Sequence, residues 1–453
     1  MSKEKQNKSS LKFWLLIVAV MLLPIGLLVL YRVNRQSEFD RRVAALAKEG
    51  YPVSLDDLEK RYVLPEGAEN AADIYIEAFS CHWQPTGDEK EFLPTCGNYK
   101  WPDDVPPFPQ EVMDALESYL QRNQETLELL DKAAAMEHCI WPRSRDSCWL
   151  NHDHLLDIRR AAQLLSERNL YLAQKGESGK LFDSLQTSIG LSKAFSKQSF
   201  LIDYLVTASL KAICVGALED IMSQTDFTEA QLEMLQKQFA EMRDMDALHD
   251  AFIVDRCSTI EFWRLPPDEQ APHSFSAPSM PARLLYSASG LKQTDALLSL
   301  DYMEKSIAAS QLPLHRRDAA FKKVENEMDS GILSFVHLYL NAITMPMTRV
   351  NQIDLRCMGN LKCAETALAI RRYRRKYHAL PDSLEALVPE FMAELPRDPF
   401  DNEVIRYLKP ENGFTLYIIG EDGIDNGGKS KEQLRKKTGE RPKQYDWPFT
   451  VRW

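Results

Sequence analysis

Apolar positions along this chain fall into three regimes. The first is an unbroken block: Phe13 to Tyr31 reads FWLLIVAVMLLPIGLLVLY, nineteen residues without a charge. As a helix it would span about 28 Å, close to the hydrocarbon thickness of a bilayer. Backbone groups in lipid must be paired within their own segment, so the block is expected as a membrane-spanning helix over 13–31, with Pro24 and Gly26 permitting a kink. Trp14 and Tyr31 stand at its ends, where aromatic rings favour the interface. A cleavable signal would have a shorter apolar core followed by small residues. The sequence YRVNRQSEFDRR offers no such site, so the helix is expected to stay as an anchor.

The second regime, from about 110 to 345, has helical spacing almost throughout. Leu155, Ile158, Ala162, Leu165 and Leu172 form one apolar stripe, and GESG at 176–179 ends that helix. A run beginning near Phe200, LIDYLVTASLKAICVGALEDIM, is apolar over much of its circumference and is expected to be central. Thr228 with Gln231 has capping-box spacing, and Phe227 with Leu232 that of a hydrophobic staple, so a helix should start there. No 34-residue period runs through the region, which predicts an irregular helical domain, offering a concave face to a partner, rather than a repeat array. The proline-rich stretch 262–285 is expected as a surface loop. Ahead of this domain, 32–60 reads as a juxtamembrane helix and turn. Leu64 to Pro109, with Trp83, Tyr99 and Trp101, reads as an irregular capping segment.

The third regime begins with a helix over Thr348–Tyr377, closed by Arg371, Arg372, Arg374, Arg375 and Lys376. Cations there complement the helix dipole, and they also suit an acidic partner or lipid headgroup. Val404–Leu408 and Phe414–Ile419 then alternate as two strands joined by KPENG. The expected fold is mainly α: a single N-terminal transmembrane helix, an irregular α-helical domain and a small C-terminal α+β module. The divisions are a tail (1–12), the spanning helix (13–31), the juxtamembrane and irregular segments (32–109), the helical domain (110–345) and the long helix with its module (346–453).

Composition narrows the function. Hydrophobic content of 44% and charged content of 27% are ordinary for a folded chain, and 18 glycines are few for a turn-rich β fold. The net charge of -11 argues against nucleic acid as a partner. Lysines 3, 5, 8 and 12 nearly balance arginines 32, 35, 41 and 42 across the apolar block, so flanking charge orients it weakly. A short cytoplasmic tail places the C-terminal bulk outside the cytoplasm, on the cell (inner) membrane. The lipid bilayer and a protein of the envelope are the expected partners. In an oxidising compartment Cys81 with Cys96, and Cys139 with Cys148, would close short disulfides; otherwise they are half-buried thiols. Cys214 belongs to a core helix.

His138, Cys139, Cys148, His152 and His154 are ligand types suited to zinc and would serve a membrane-tethered metal-dependent hydrolase. Their spacing matches no standard site, and His152 and Asp153 also suit a helix start after Asn151. With no nucleophile elbow or phosphate-cradling glycine loop, a structural or interaction role is expected instead of an enzyme.

The run AIRRYRRKYHALPDSLEALVPEFMAELPRDPFDNEVIRYLKPENGFTLYIIGEDGIDNGG resembles the C-terminal part of the major pseudopilins of type II secretion systems. The matching pieces are Tyr377 through Pro381, Leu384 to Leu387, Asp398-Pro399-Phe400, Tyr407, Tyr417, and Gly420 with Asp422-Gly423. The resemblance implies a long helix, a short hairpin and a calcium loop whose ligands would be Asp422, Asp446 and the nearby Asp425. It also implies an extracytoplasmic module near an envelope secretion or assembly apparatus. Seven basic residues between the loop and Asp446, and Ile418 where the family usually has serine, depart from the pattern. The anchor lacks the pseudopilin glutamate, so a permanent tether, not a filament subunit, is expected.

Overall fold

The computed structural model describes residues 2–60, 63–100, 107–142, 153–195, 200–266, 269, 279–329, 345–438, 442 and 444–453. Its first element, α1 (Ser2–Lys48), is one continuous helix of 47 residues with Pro24 inside it. From Leu22 to Arg35 every side chain is exposed, including Leu23 at 65% and Leu30 at 65%. Farther along, Phe39 and Val43 are buried and Leu46 partly so, at helical spacing. They pack with α10 (Ala247–Arg264) and α12 (Leu291–Ser310). The juxtamembrane helix expected after 31 forms as a direct continuation of the same helix, because the residues beyond 31 keep the helical period. Only α2 (Leu55–Glu59) follows, capped by Ser54.

Helices α3 (Ala71–Cys81), α4 (Gln110–Arg122), α5 (Gln124–Ala134), α6 (Asp153–Gln174) and α7 (Ser178–Ser192) build one end of the body. The irregular segment is pinned there by Glu167 of α6, whose Oε1 accepts the amides of Thr95 and Cys96 at 2.7 Å each. α8 (Leu201–Met222) is long and apolar enough to cross a membrane, but 56% of its most apolar stretch is buried, as a core helix requires. α9 (Glu229–Glu241) starts at the expected Thr228/Gln231 box, and Phe227 and Leu232 are both buried beside it. The stretch 262–285 is not loop throughout: α10 extends to Arg264, and α11 (Met280–Ala288) forms with Pro281 in its first turn.

α13 (Leu314–Asp329) precedes α14 (Met347–Tyr377), which closes on His378 in a left-handed conformation. Strands β1 (Arg406–Leu408), β2 (Gly413–Ile418) and β3 (Trp447–Arg452) make one antiparallel sheet in that order, pairing Tyr407 with Leu416 and Leu416 with Phe449. α15 (Lys431–Thr438) bridges β2 to β3. The chain is thus mainly helical, with a small three-stranded sheet near the C-terminus. Leu218, Phe239, Leu361, Leu368, Phe414 and Ile418 belong to a single buried cluster, so the core runs unbroken across the expected boundary at 345.

Candidate functional site

The C-terminal loop is organised by three aspartates. Asp398, side chain fully buried, accepts the amides of Phe400 (2.9 Å) and Ile419 (2.8 Å) and pairs with Arg406 at 2.6 Å. One carboxylate thereby ties the Asp-Pro turn to both hairpin strands. Burial lifts its pKa to about 6 despite those donors. Asp446 is buried at the mouth of β3, and its Oδ2 accepts the amides of Asn426 (2.9 Å) and Gly428 (2.8 Å). Its Oδ1 has no partner, and desolvation raises its pKa. Asp422 accepts the amide of Ile424 through Oδ1, while Oδ2 is buried and unpartnered. Gly420 lies between them: a Cβ there would meet the Tyr445 carbonyl at 2.5 Å and Asp422 Oδ1 at 3.6 Å.

Asp425, the third expected ligand, is engaged elsewhere. It accepts from the Gly427 amide (2.8 Å) and the Tyr417 hydroxyl (3.2 Å), and faces Arg406 at 3.7 Å. Among the described residues, no three His, Cys, Asp or Glu side chains gather closely enough to hold a metal on their own.

Behind Asp446 a cavity of about 520 Å³ separates the end of α8 from α15 and β3. Glu219 and Asp220 enter it from α8, facing Lys431, Tyr445 and Trp447. Glu219 accepts the Thr450 amide at 2.7 Å, and burial raises it to about 8; Asp220 rises to about 7 for the same reason. These acids were not singled out from sequence, where adjacent carboxylates look like a solvated face. Their signal is placement: two acids in the last turn of an apolar core helix oppose its dipole. The recess can therefore hold protons near neutral pH.

A larger cavity, about 950 Å³, opens between α5, α6 and α7. Arg168 grips Asp131 with both terminal nitrogens at 2.8 and 2.9 Å, and Thr187 donates to the same carboxylate at 2.5 Å. Leu127, Tyr171 and Ile189 supply apolar wall, the mixed lining expected of a concave binding face.

The remaining expected sites are described only in part. Cys148 and His152 lie outside the described residues. His154 packs against Trp141 with ring centroids 5.5 Å apart, and the backbone carbonyl of His138 accepts the Ala71 amide. Cys81, Cys96 and Cys139 are free thiols; Cys96 receives the Tyr119 hydroxyl at 3.5 Å, and burial pushes it to about 12. The basic patch is consumed internally. Arg371 donates to the Thr225 carbonyl, Arg372 pairs with Glu229, Arg375 with Asp226 and Lys376 with Glu390, while Arg374 stacks 3.6 Å from the Trp453 ring centroid. Those cations fasten α14 to its neighbours, so the acidic partner considered from sequence is supplied by the chain itself. No family model, no curated protein and no solved structure matches this chain.

Proposed function

We propose that this protein is a single-pass, membrane-tethered extracytoplasmic scaffold with a structural or interaction role at an envelope secretion or assembly apparatus. The observation that carries the reading is α1: its apolar side chains from Leu22 to Tyr31 are all exposed, while Phe39, Val43 and Leu46 of the same unbroken helix are built into the core. A contiguous exposed apolar stretch of that length needs a nonpolar surrounding, and a bilayer supplies it. The groove between α5, α6 and α7 is the surface that receives a protein partner.

The reading is tested by carbonate extraction of membranes. The full chain should stay in the pellet, and a chain lacking residues 2–31 should release its body to the supernatant. A full chain released by carbonate would overturn it.

The C-terminal loop is read as a calcium site on its pseudopilin-like resemblance and on the two orphaned oxygens, Asp422 Oδ2 and Asp446 Oδ1. Hard oxygens beside a glycine-rich backbone suit that ion, with carbonyls completing the shell. Asp425 joins only by giving up Arg406 and Tyr417. Asp422→Ala should lower the melting temperature in calcium and leave it unchanged in chelator; wild-type curves that coincide in calcium and chelator would remove the site.

A further inference from the structure

α11 is an amphipathic helix turned inside out. Met280, Pro281, Leu284, Leu285 and Ala288 are all exposed, with Leu284 at 53% and Leu285 at 72%. Their spacing puts them on one face. On the opposite side Tyr286 is buried, and Ser287 is buried at the flank. A soluble surface helix carries the reverse pattern.

The position of this face relative to α1 identifies what covers it. Tyr31, the last residue of the apolar block, donates or accepts across 2.9 Å with Thr294 in the first turn of α12. Eleven residues along α1, Arg42 reaches Asp301, seven residues along α12, at 2.6 Å. The two helices therefore run side by side in the same direction, and α12 begins at the level of Tyr31. Gly290, just ahead of α12, abuts that level: a Cβ there would lie 2.9 Å from the Tyr31 ring and 3.5 Å from the Arg32 Cα. α11 ends two residues earlier, so it sits at the end of the body from which the apolar half of α1 emerges. Arg32 and Arg35, both exposed, flank the same level, with Arg35 5.2 Å from the Tyr31 ring centroid.

We propose that α11 is a second membrane contact, lying in the plane of the interface with its Met280–Leu284–Leu285 face in the headgroup–acyl boundary of the bilayer that α1 crosses. This rests on the anchor reading above. A helix that lies on the bilayer buries an apolar face about 5–10 Å deep while its other face stays attached to protein or water. Two contacts fix the body's tilt, which a single helix leaves free to rotate about its axis.

The test uses the full chain in vesicles of phosphatidylcholine and phosphatidylglycerol, in a background with Cys81, Cys96, Cys139 and Cys148 replaced by serine. An environment-sensitive fluorophore is attached at Leu285→Cys, at Leu23→Cys within the anchor, or at Met234→Cys on the exposed side of α9. Labels at 285 and 23 should shift emission to shorter wavelength and be quenched by nitroxide-bearing lipids, and the label at 234 should do neither. If 23 is quenched and 285 is not, the α11 contact is wrong and the anchor stands. If neither is quenched, the anchor reading fails and the α11 contact falls with it. In a Met280→Cys chain carrying Leu284→Glu and Leu285→Glu, quenching at 280 should be lost while the protein stays in the membrane fraction; retained quenching at 280 would overturn the proposal.

Discussion

The sheet of the C-terminal module approaches α14 most tightly at Gly359, and that contact predicts a sign reversal. Gly359 lies mid-helix and buried, and a Cβ built on it would fall 2.1 Å from Ile418 Cδ1, with Cγ1 at 3.2 Å and Cγ2 at 3.3 Å. Gly359→Ala makes three changes. It gains about 1 kcal/mol because alanine is the better helix former, and about 0.8 kcal/mol for the added buried methyl. Against this, overpacking costs about 1–3 kcal/mol. The upper end applies, because a 2.1 Å approach to a fully buried side chain cannot be absorbed without moving the isoleucine, whereas the γ carbons need give only by a few tenths of an ångström. The net expectation is a loss of about 1 kcal/mol. Ile418→Val removes Cδ1 and by itself costs another ~1 kcal/mol through the void it leaves.

Together the two changes should cancel the clash and the void, leaving the helix-propensity gain. The double variant is expected to match or exceed wild type, whereas independent effects would place it about 2 kcal/mol below. Denaturant midpoints of the four proteins, followed by intrinsic tryptophan fluorescence, give the coupling directly. Additivity within about 0.5 kcal/mol would refute the contact.

Two other predictions concern buried charge. Glu219 has a folded pKa near 8 against about 4.5 unfolded, so the folded state holds the extra proton. Its penalty is absent below the unfolded value, grows as pH rises through 5 to 8, and is complete above 8. Because the recess opens to water, about 2 kcal/mol is expected, less than half of the fully desolvated shift. Glu219→Gln keeps an acceptor for the Thr450 amide and should reduce the loss of stability between pH 5 and 8.5 by about that amount, the share of Asp220 remaining; equal pH slopes for variant and wild type would refute the assignment. Deeper in the body, Arg317 pairs with Asp354 at 3.0 Å, both nearly inaccessible, and Tyr204 donates to the same carboxylate. Arg317→Met strands that carboxylate and should cost about 3–5 kcal/mol by thermal unfolding, most of it recovered by adding Asp354→Leu; a loss below about 1 kcal/mol would sink this account.

Features written in local chemistry were legible. The Thr228 box, the long helix to Tyr377 and the β1–β2 hairpin all depend on residues within a few positions of one another, and the structure places each within two residues of expectation. β3 was not foreseen because WPFTVR carries Pro448 and becomes a strand only on meeting β2; as the sheet's edge, it tolerates the missing donor. Asp446 was singled out as a ligand and emerged as a clamp on the amides of Asn426 and Gly428, with one oxygen left over. The arginines ending α14 read as a surface because their acceptors, Asp226 and Glu229, lie well over a hundred positions away. Long-range pairing of that kind leaves no periodic trace.

The same limit explains α11, and here the misreading is informative. A run of prolines with scattered apolar residues reads as a surface loop when each apolar residue is assumed to seek the core. Leu284 and Leu285 do not, and helical spacing alone cannot say which face turns inward. That choice is made by Tyr286, whose hydroxyl is held by the buried Asp295 of α12, and by Gly290, which lets Tyr31 approach where any side chain would collide. Replacing Gly290 with leucine therefore tests more than the turn. Its positive φ of 81° and the 2.9 Å contact both oppose a side chain, so the α11–α12 corner should be pushed away from α1 while the Phe39 and Val43 packing farther along survives. Hydrogen exchange should then accelerate at 280–294 and stay slow at 39–46. Equal acceleration of both stretches would mean that α1 and α12 are joined only through this corner, and the side-by-side register drawn from Thr294 and Asp301 would be wrong.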